Sequence, residues 1–171
     1  MGKLPRSAGQ LLLLICSIVG AGISIYLTSV HYENVPLVCS TRGLIDCARV
    51  LSSSYSVVPG TTIPISVPGL GWYIVGAALA IAALYLGIGR RPILLAQFVW
   101  TLLGIFTVIY LVYVEIVRIH AICAWCTALH VLILLMFLVT LVQLQNPVLE
   151  FEADVESEGE EPEVPTTSYR K

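Results

Sequence analysis

Charged residues are scarce in this chain. Asp, Glu, Lys and Arg make up 12% of its 171 residues, hydrophobic residues make up 57%, and the mean hydropathy is +0.89. A soluble domain of this length would not usually carry so few charges. The chain also lacks internal repeats and has no basic stripe, so nothing in it indicates a nucleic-acid partner.

Long apolar runs account for this composition. They cover residues 11–30, 70–88, 93–114 and 121–144, and each is close to the ~20 helical residues that cross a bilayer. The first run has no small-x-small cleavage site followed by a polar segment, so we interpret it as a retained helix. The sequence therefore predicts an all-α membrane protein, a four-transmembrane-helix bundle over residues 1–146, with helices at about 10–31, 70–89, 93–117 and 121–145.

Basic residues near the predicted helix ends indicate the orientation. Lys3 and Arg6 precede the first helix, and Arg90 and Arg91 lie in the short turn between the second and third. Because basic residues in short loops favour the cytoplasmic side, we expect both termini in the cytoplasm. The 32–69 loop is then outside the plasma membrane.

Acidic residues are concentrated at the end of the chain. Eight of the eleven Asp and Glu lie between Glu150 and Glu163, in a stretch with Pro162 and Pro165 and few apolar residues. This composition is typical of disordered segments. We therefore predict that residues 147–171 form an acidic, disordered cytoplasmic tail.

The outer loop is too long to be a simple connection. Leu44, Cys47, Val50, Leu51 and Tyr55 follow helical spacing within it. This spacing predicts a short helix over residues 44–56. Prolines at positions 59, 64 and 68 then indicate turns on the way to the second transmembrane helix.

Four of the five cysteines form two pairs. Cys39 and Cys47 lie in the outer loop, and Cys123 and Cys126 form a C-x-x-C motif at the start of the last helix. The predicted topology puts all four on the extracytoplasmic side, where disulfides persist. A thiolate of one pair can attack the disulfide of the other, so a mobile loop would allow an electron relay. Cys16, alone in the first helix, is predicted to be a core residue.

The last helix gives its two cysteines different surroundings. Cys123 is within a turn of the helix start, where free backbone N–H groups and the helix dipole favour a thiolate. Cys126 is nearly one turn deeper, closer to a lipid-soluble partner. His130 follows on the same face. It is either a core histidine bonded to a neighbouring helix or a polar contact to a ligand beside Cys126.

Two other interpretations of the four cysteines stay open at this point. They can be ligands of a structural zinc ion, although the spacing of Cys39 and Cys47 is wider than that of the usual ligand pair. They can also form two inert disulfides, although a C-x-x-C bridge within a helix closes a small loop and adds little chain-entropy stabilisation.

Together these features resemble the vitamin K epoxide reductase family, and its bacterial members most. The resemblance covers roughly residues 8–146. It rests on the four apolar helices, on the loop pair followed by the sequence ARVLSS, and on the CAWC motif that opens the last helix. Another membrane disulfide-generating family also has four helices and two pairs, but its C-x-x-C pair comes first, opposite to the order here.

The resemblance implies an order of electron transfer. Cys39 would exchange with an external thiol partner, Cys47 would pass electrons to Cys123 through a disulfide between the pairs, and Cys126 would lie next to a quinone. The resemblance also implies a quinone pocket formed by Ser53, His130 and the apolar wall residues Leu51, Leu70 and Trp72.

Two departures from the family pattern bear on the substrate and the partner. Vertebrate members carry an asparagine before the second helix that bonds the quinone oxygen, and residues 65–69 contain none, which argues against vitamin K epoxide as substrate. Some bacterial members carry a fused thioredoxin-like domain after the last helix. Here the acidic segment follows, so we expect the thioredoxin-fold partner to be a separate protein.

The sequence thus leads to the hypothesis of a membrane thiol:quinone oxidoreductase. It would reoxidise a thioredoxin-fold disulfide carrier outside the membrane and reduce ubiquinone or menaquinone, with no metal or flavin, in support of disulfide formation in exported proteins. One alternative is a vertebrate-type vitamin K epoxide and quinone reductase. The other is a non-enzymatic tetraspan protein with static disulfides.

Overall fold

The computed structural model describes residues 6–33, 37–39, 43–85 and 90–158. Long helices dominate this part of the chain. In order, they are α1 (Arg6–Glu33), the short α2 (Cys47–Leu51), α3 (Ser66–Tyr85), α4 (Arg90–Tyr113) with a π-helical continuation over Val114–Ile119, and α5 (Ala124–Glu158).

Four segments are long and apolar enough to cross a membrane. They are Ser7–Glu33, Ser66–Tyr85, Pro92–Ile119 and Ala124–Gln145. This confirms the predicted multi-pass helical bundle. Helix α1 packs mainly against α3 and also against α5, and α4 packs against α3 and α5.

Helix α3 begins four residues before the predicted position 70, at Ser66. The prediction treated Pro68 as part of the preceding turn, but proline is tolerated in the first turn of a helix, where its missing N–H would have no partner. The predicted end at residue 89 lies outside the described residues.

The helix in the outer loop is shorter than predicted. It covers Cys47–Leu51 instead of residues 44–56, and the Asp46 side chain caps its start by accepting the Arg49 backbone N–H. Its end follows from a run of serines: Ser53 Oγ donates to the Val50 carbonyl at 2.7 Å, and Ser56 Oγ donates to that of Ser53 at 2.8 Å. Such side-chain bonds to backbone carbonyls compete with continued helix.

Helix α5 extends beyond the predicted boundary at residue 146. It continues to Glu158, so its backbone is helical over the first residues of the segment predicted to be disordered. Leucine, glutamate and alanine are good helix formers, and no glycine occurs in this stretch before position 159. Residues 159–171, where the tail prediction also applies, lie outside the described residues.

The centre of the bundle is a hydrophobic core shared by α1, α3 and α5. Its buried members are Leu13, Cys16, Tyr73, Ala80, Met136 and Val139. The prediction of Cys16 as a core residue is therefore confirmed. Glycine allows the closest approaches: a Cβ on Gly104 of α4 would lie 2.6 Å from Trp72 Cζ2 and 2.9 Å from Ile133 Cγ2.

Three buried glutamines join the helices at the end of the bundle remote from the cysteines. Gln10 of α1 and Gln97 of α4 exchange side-chain hydrogen bonds of 3.0 and 2.8 Å, and Gln10 also donates to Gln143 of α5. Polar side chains that bond across helices hold apolar bundles together where a hydrophobic driving force is weak.

Candidate functional site

The outer-loop cysteines are joined to each other. Cys39 and Cys47 form a disulfide with a Cα–Cα distance of 6.2 Å. Cys39 is half-buried, whereas Cys47, the first residue of α2, is fully buried. The pair therefore has one accessible member and one that faces the protein interior.

Two sets of hydrogen bonds hold the loop against α1 and against the start of α5. The residue before Cys39, Val38, donates its N–H to the Tyr26 hydroxyl at 3.0 Å and accepts Trp125 Nε1–H at 2.9 Å. Closer to Cys47, Ile45 and Ile122 form a parallel bridge. Both loop cysteines are thereby held beside the residues that begin α5.

Cys123 lies immediately before α5, as an N-cap residue does. Its sulfur accepts the backbone N–H of Cys126 at 3.3 Å, one of the donors that a helix start leaves unpaired. The hydrogen bond from the Cys126 thiol, with smaller help from this backbone bond, lowers the pKa of Cys123 below its usual value despite burial. Both bonds stabilise the thiolate.

A second buried cluster brings the two pairs together. It consists of Cys47, Val50, Val114, Ile119, Ala121 and Cys123, with Cys39 and Cys126 packed against it. Cys47 and Cys123 are each 0% exposed. Cys47 and Cys123 are far apart in the sequence but lie in the same buried cluster, shielded from solvent.

A cavity of about 320 Å³ lies on the other side of Cys126. Its walls come from α1, α2 and the loop after it, α3, α4 and α5. Cys126 is among the lining residues and Cys123 is not. This arrangement agrees with the deeper position expected for Cys126.

Four of the five residues predicted to form the quinone pocket line this cavity: Leu51, Ser53, Trp72 and His130. Leu70 is not among the lining residues, although Ser66 and Tyr73, one turn away on either side of it in α3, are. Its role in binding a quinone stays a prediction. His31, in the last turn of α1, is also a lining residue.

Two polar atoms of the lining residues are buried and have no hydrogen-bond partner among the described residues. They are Ser24 Oγ and Trp72 Nε1. The Trp72 ring is held in place by Trp100, which stacks on it at 6.0 Å between centroids and 14° between planes. Buried donors are normally paired, so these two unpaired groups of the lining residues are candidates for contact with a ligand.

Sequence reasoning gave no role to Glu115, a buried carboxyl in the π-helical turn. Its side chain is 6% exposed, it lines the cavity, and it interacts with the Cys123 backbone N–H and the Cys126 thiol. A lone acid at the edge of an apolar run was the available signal, since intramembrane carboxyls are costly and mark functional sites.

Among the described residues, no group of three or more His, Cys, Asp or Glu is arranged to hold a metal ion. The cysteines that a zinc site would use are divided between a disulfide and two thiols.

A helical membrane bundle with two adjoining cysteine pairs and an apolar cavity defines a class of protein, the membrane redox proteins that act through cysteines. A family model described as the vitamin K epoxide reductase family matches residues 11–141. The chain belongs to this family, whose activity links disulfide chemistry to quinones in membranes. No curated protein matches the chain.

Proposed function

We propose that the protein is a thiol:quinone oxidoreductase that reoxidises a separate thioredoxin-fold disulfide carrier and reduces a membrane quinone. The observation that carries this proposal is the position of Cys126. It lines the cavity while its neighbour in the motif, Cys123, lies in the buried cluster with Cys47. One cysteine pair thus connects the loop disulfide to a lipid-accessible space.

The entry point for electrons is Cys39. It is the more exposed member of its pair, so the thiolate of a carrier can attack it, which opens the bond to Cys47. The carrier leaves with its own disulfide, and Cys39 and Cys47 remain as thiols. Two electrons have then moved from the carrier to the protein.

The second step is an exchange between the pairs. The Cys47 thiolate attacks Cys123 of a Cys123–Cys126 disulfide and displaces the Cys126 thiolate, and Cys39 then attacks Cys47 and releases Cys123. The Cys39–Cys47 disulfide is restored, and Cys123 and Cys126 hold the two electrons. This is the distribution of bonds in the structure, with a disulfide at Cys39–Cys47 and thiols at Cys123 and Cys126.

The cavity fits a quinone headgroup in size and chemistry. Its volume of about 320 Å³ is within the range of ~300–1,000 Å³ of small-molecule sites, which are mostly apolar with few polar groups. Trp72 Nε1–H and the Ser24 hydroxyl lack protein partners and can bond a quinone oxygen in place of the missing asparagine. A bound quinone supplies the acceptor for two electrons and two protons as Cys123 and Cys126 form their disulfide.

The proposal also includes the side of the membrane on which the cysteines lie. The basic residues at the predicted cytoplasmic ends put the cysteine end of the bundle outside, so the protein would support disulfide formation in exported proteins. Ubiquinone and menaquinone are both acceptors to be tested.

The test is quinone reduction by purified protein supplied with a reduced thioredoxin-fold dithiol protein, with ubiquinone and menaquinone analogues in parallel. Cys123→Ala and Cys126→Ala are each expected to abolish turnover. Cys16→Ala is the matched control, because Cys16 is a buried cysteine outside the cavity, and it is expected to retain activity. Turnover that survives loss of Cys126 contradicts the proposal.

Two rival functions give different results in the same preparation. A vertebrate-type reductase would consume vitamin K epoxide with dithiols, so epoxide is assayed beside the quinones. A structural tetraspan protein would keep every cysteine in one state when dithiol or quinone is added, which thiol trapping and mass mapping detect.

A further inference from the structure

We infer that Glu115 is a catalytic residue that takes the proton of the Cys126 thiol and delivers it to the electron acceptor in the cavity. This inference rests on the proposed function and goes beyond it, since neither the cysteine pairs nor the apolar walls account for the movement of protons. The carboxyl and the Cys126 thiol both line the cavity where the acceptor would bind.

The position of Glu115 follows from an irregular backbone. Helix α4 widens into a π-helical turn over Val114–Ile119, and His120 then adopts a left-handed conformation at φ 55° and ψ 36°. The Glu115 carbonyl accepts the backbone N–H groups of His120 and Ala121. These bonds fold the chain back sharply, so the Glu115 side chain meets the start of α5.

Burying the Glu115 carboxylate without a neighbouring cation costs free energy, so a purely structural role does not explain its position. Within residues 7–33, 37–39, 43–85 and 92–145, where side-chain burial is described, Glu115 is the one buried acidic side chain. The nearest basic residue in sequence, Arg118, is exposed and donates instead to the Tyr55 hydroxyl at 3.1 Å. An unpaired buried carboxylate costs several kcal/mol in a membrane, whereas a carboxyl that exchanges a proton with an adjacent thiol is charged only for part of the cycle.

The surroundings of Glu115 leave it as the best-placed proton carrier for Cys126. It contacts the Cys126 thiol and lines the cavity. Tyr73 is engaged, because its hydroxyl donates to the Leu129 carbonyl at 3.0 Å. The titratable side chains that line the cavity besides Cys126 and Glu115 are His31, Tyr55, Tyr73 and His130.

Oxidation of the Cys123 and Cys126 thiols by a quinone moves two electrons and two protons. Cys123 releases its proton to water when its thiolate forms, and Cys126 passes its proton to the Glu115 carboxylate as the S–S bond forms. Two electrons reach the quinone, which receives one proton from Glu115 and one from water. Glu115 is a carboxylate again at the end, so it is a carrier and is not consumed.

Glu115→Gln separates proton transfer from structure, because the amide oxygen can still accept the Cys123 N–H but cannot hold a proton to transfer. We expect single-turnover oxidation of Cys123 and Cys126 by a short-chain benzoquinone to slow by about 10²-fold or more, within the range for loss of a general base. Glu115→Asp should restore part of the rate. Glu33→Gln, an exposed acid on the same side, is the matched control.

Two further readouts make the result specific. Reduction of the Cys39–Cys47 disulfide by a dithiol should keep its wild-type rate in Glu115→Gln. Conversion of Cys123 and Cys126 from thiols to a disulfide by a soluble oxidant, without quinone, should shift a carboxyl band in the infrared difference spectrum, and this band should be missing in Glu115→Gln.

The outcomes separate this inference from the proposed function. If wild-type protein fails to reduce quinone, the proposed function is wrong, and the infrared band still reports on the contact between Glu115 and Cys126. If wild-type protein is active and Glu115→Gln is equally fast, or slows both half-reactions to the same extent, Glu115 is not the proton carrier.

Discussion

At the scale of single residues, hydrogen bonding distinguishes two cysteines that are neighbours in the sequence. Cys123 accepts the backbone N–H of Cys126 and lies outside the membrane-spanning segments. Cys126 lies inside α5 and on the cavity wall. The same C-x-x-C motif thus has one sulfur in the buried cluster with Cys47 and a second on the cavity wall.

The thiolate of Cys123 gives a prediction on pH dependence. Because the Cys126 thiol is the first cause of the lowered pKa of Cys123, Cys126→Ala should raise that pKa, and the thiolate should then form only at higher pH. Ultraviolet thiolate absorbance of protein with Cys39 and Cys47 still bridged, followed against pH, measures this shift.

The controls for this titration are Cys123→Ser, which should remove the earliest transition, and Cys16→Ala, which should leave it in place. An unchanged transition in Cys126→Ala would mean that the backbone N–H alone supports the thiolate.

At the scale of helices, the cavity depends on how α3, α4 and α5 approach each other. Trp72 fills the space above Gly104 and stacks on Trp100, whose Nε1 donates to the Trp72 carbonyl at 3.2 Å. The indole is therefore held from two sides while its own N–H has no protein partner. Any change of helix spacing at Gly104 is transmitted to the cavity wall.

Gly104→Ala tests this dependence. A methyl group there would meet Trp72 and Ile133 at 2.6 and 2.9 Å, so we expect a loss of about 1–3 kcal/mol in the free energy of unfolding, as in other overpacked cores, and a raised KM for quinone. Thermal unfolding in detergent and steady-state kinetics measure the two effects.

Gly22→Ala is the matched control, since no atom lies within 4 Å of its added methyl group. Alanine is the better helix former by about 0.5–1 kcal/mol, so this variant should be at least as stable as the wild type. Equal behaviour of the two alanine variants would contradict the tight packing at Gly104.

The sequence predicts the transmembrane helices well because each must be long and apolar to cross a bilayer, and this requirement is local. It predicts less well the features that depend on contacts between segments. The start of α5 after Cys123 depends on the bridge between Ile45 and Ile122, and the depth of Glu115 depends on the π-helical turn.

At the scale of the whole molecule, the polar contacts that join the helices and the residues of the candidate site lie at opposite ends of the bundle. The glutamine cluster joins α1, α4 and α5 at one end, and the cysteines and the cavity lie at the other. The loop disulfide is joined to α1 and to the start of α5 by a few hydrogen bonds around Val38 and Ile45.

Cross-linking tests whether the whole arrangement brings Cys47 to Cys123. In the double variant Cys39→Ser/Cys126→Ser, these two cysteines remain, and we expect oxidation to join them in high yield because both lie in one buried cluster. Peptide mapping by mass spectrometry under non-reducing conditions identifies the bridge.

The control is Cys39→Ser/Cys123→Ser, which leaves Cys47 with Cys126 on the cavity wall and should form little or no bridge. Comparable yields from the two double variants would show that proximity in the cluster does not select the partner.

Cys47 and Cys123 are completely buried, so their sulfur atoms are shielded from water. A small thiol dissolved in water can reach Cys39, but it has no path to the sulfur atoms that stand between Cys39 and the cavity. Under the proposed function, reducing equivalents would reach Cys123 from the loop pair and not from small thiols in water. Access to Cys39, rather than reduction potential, would then select the electron donor.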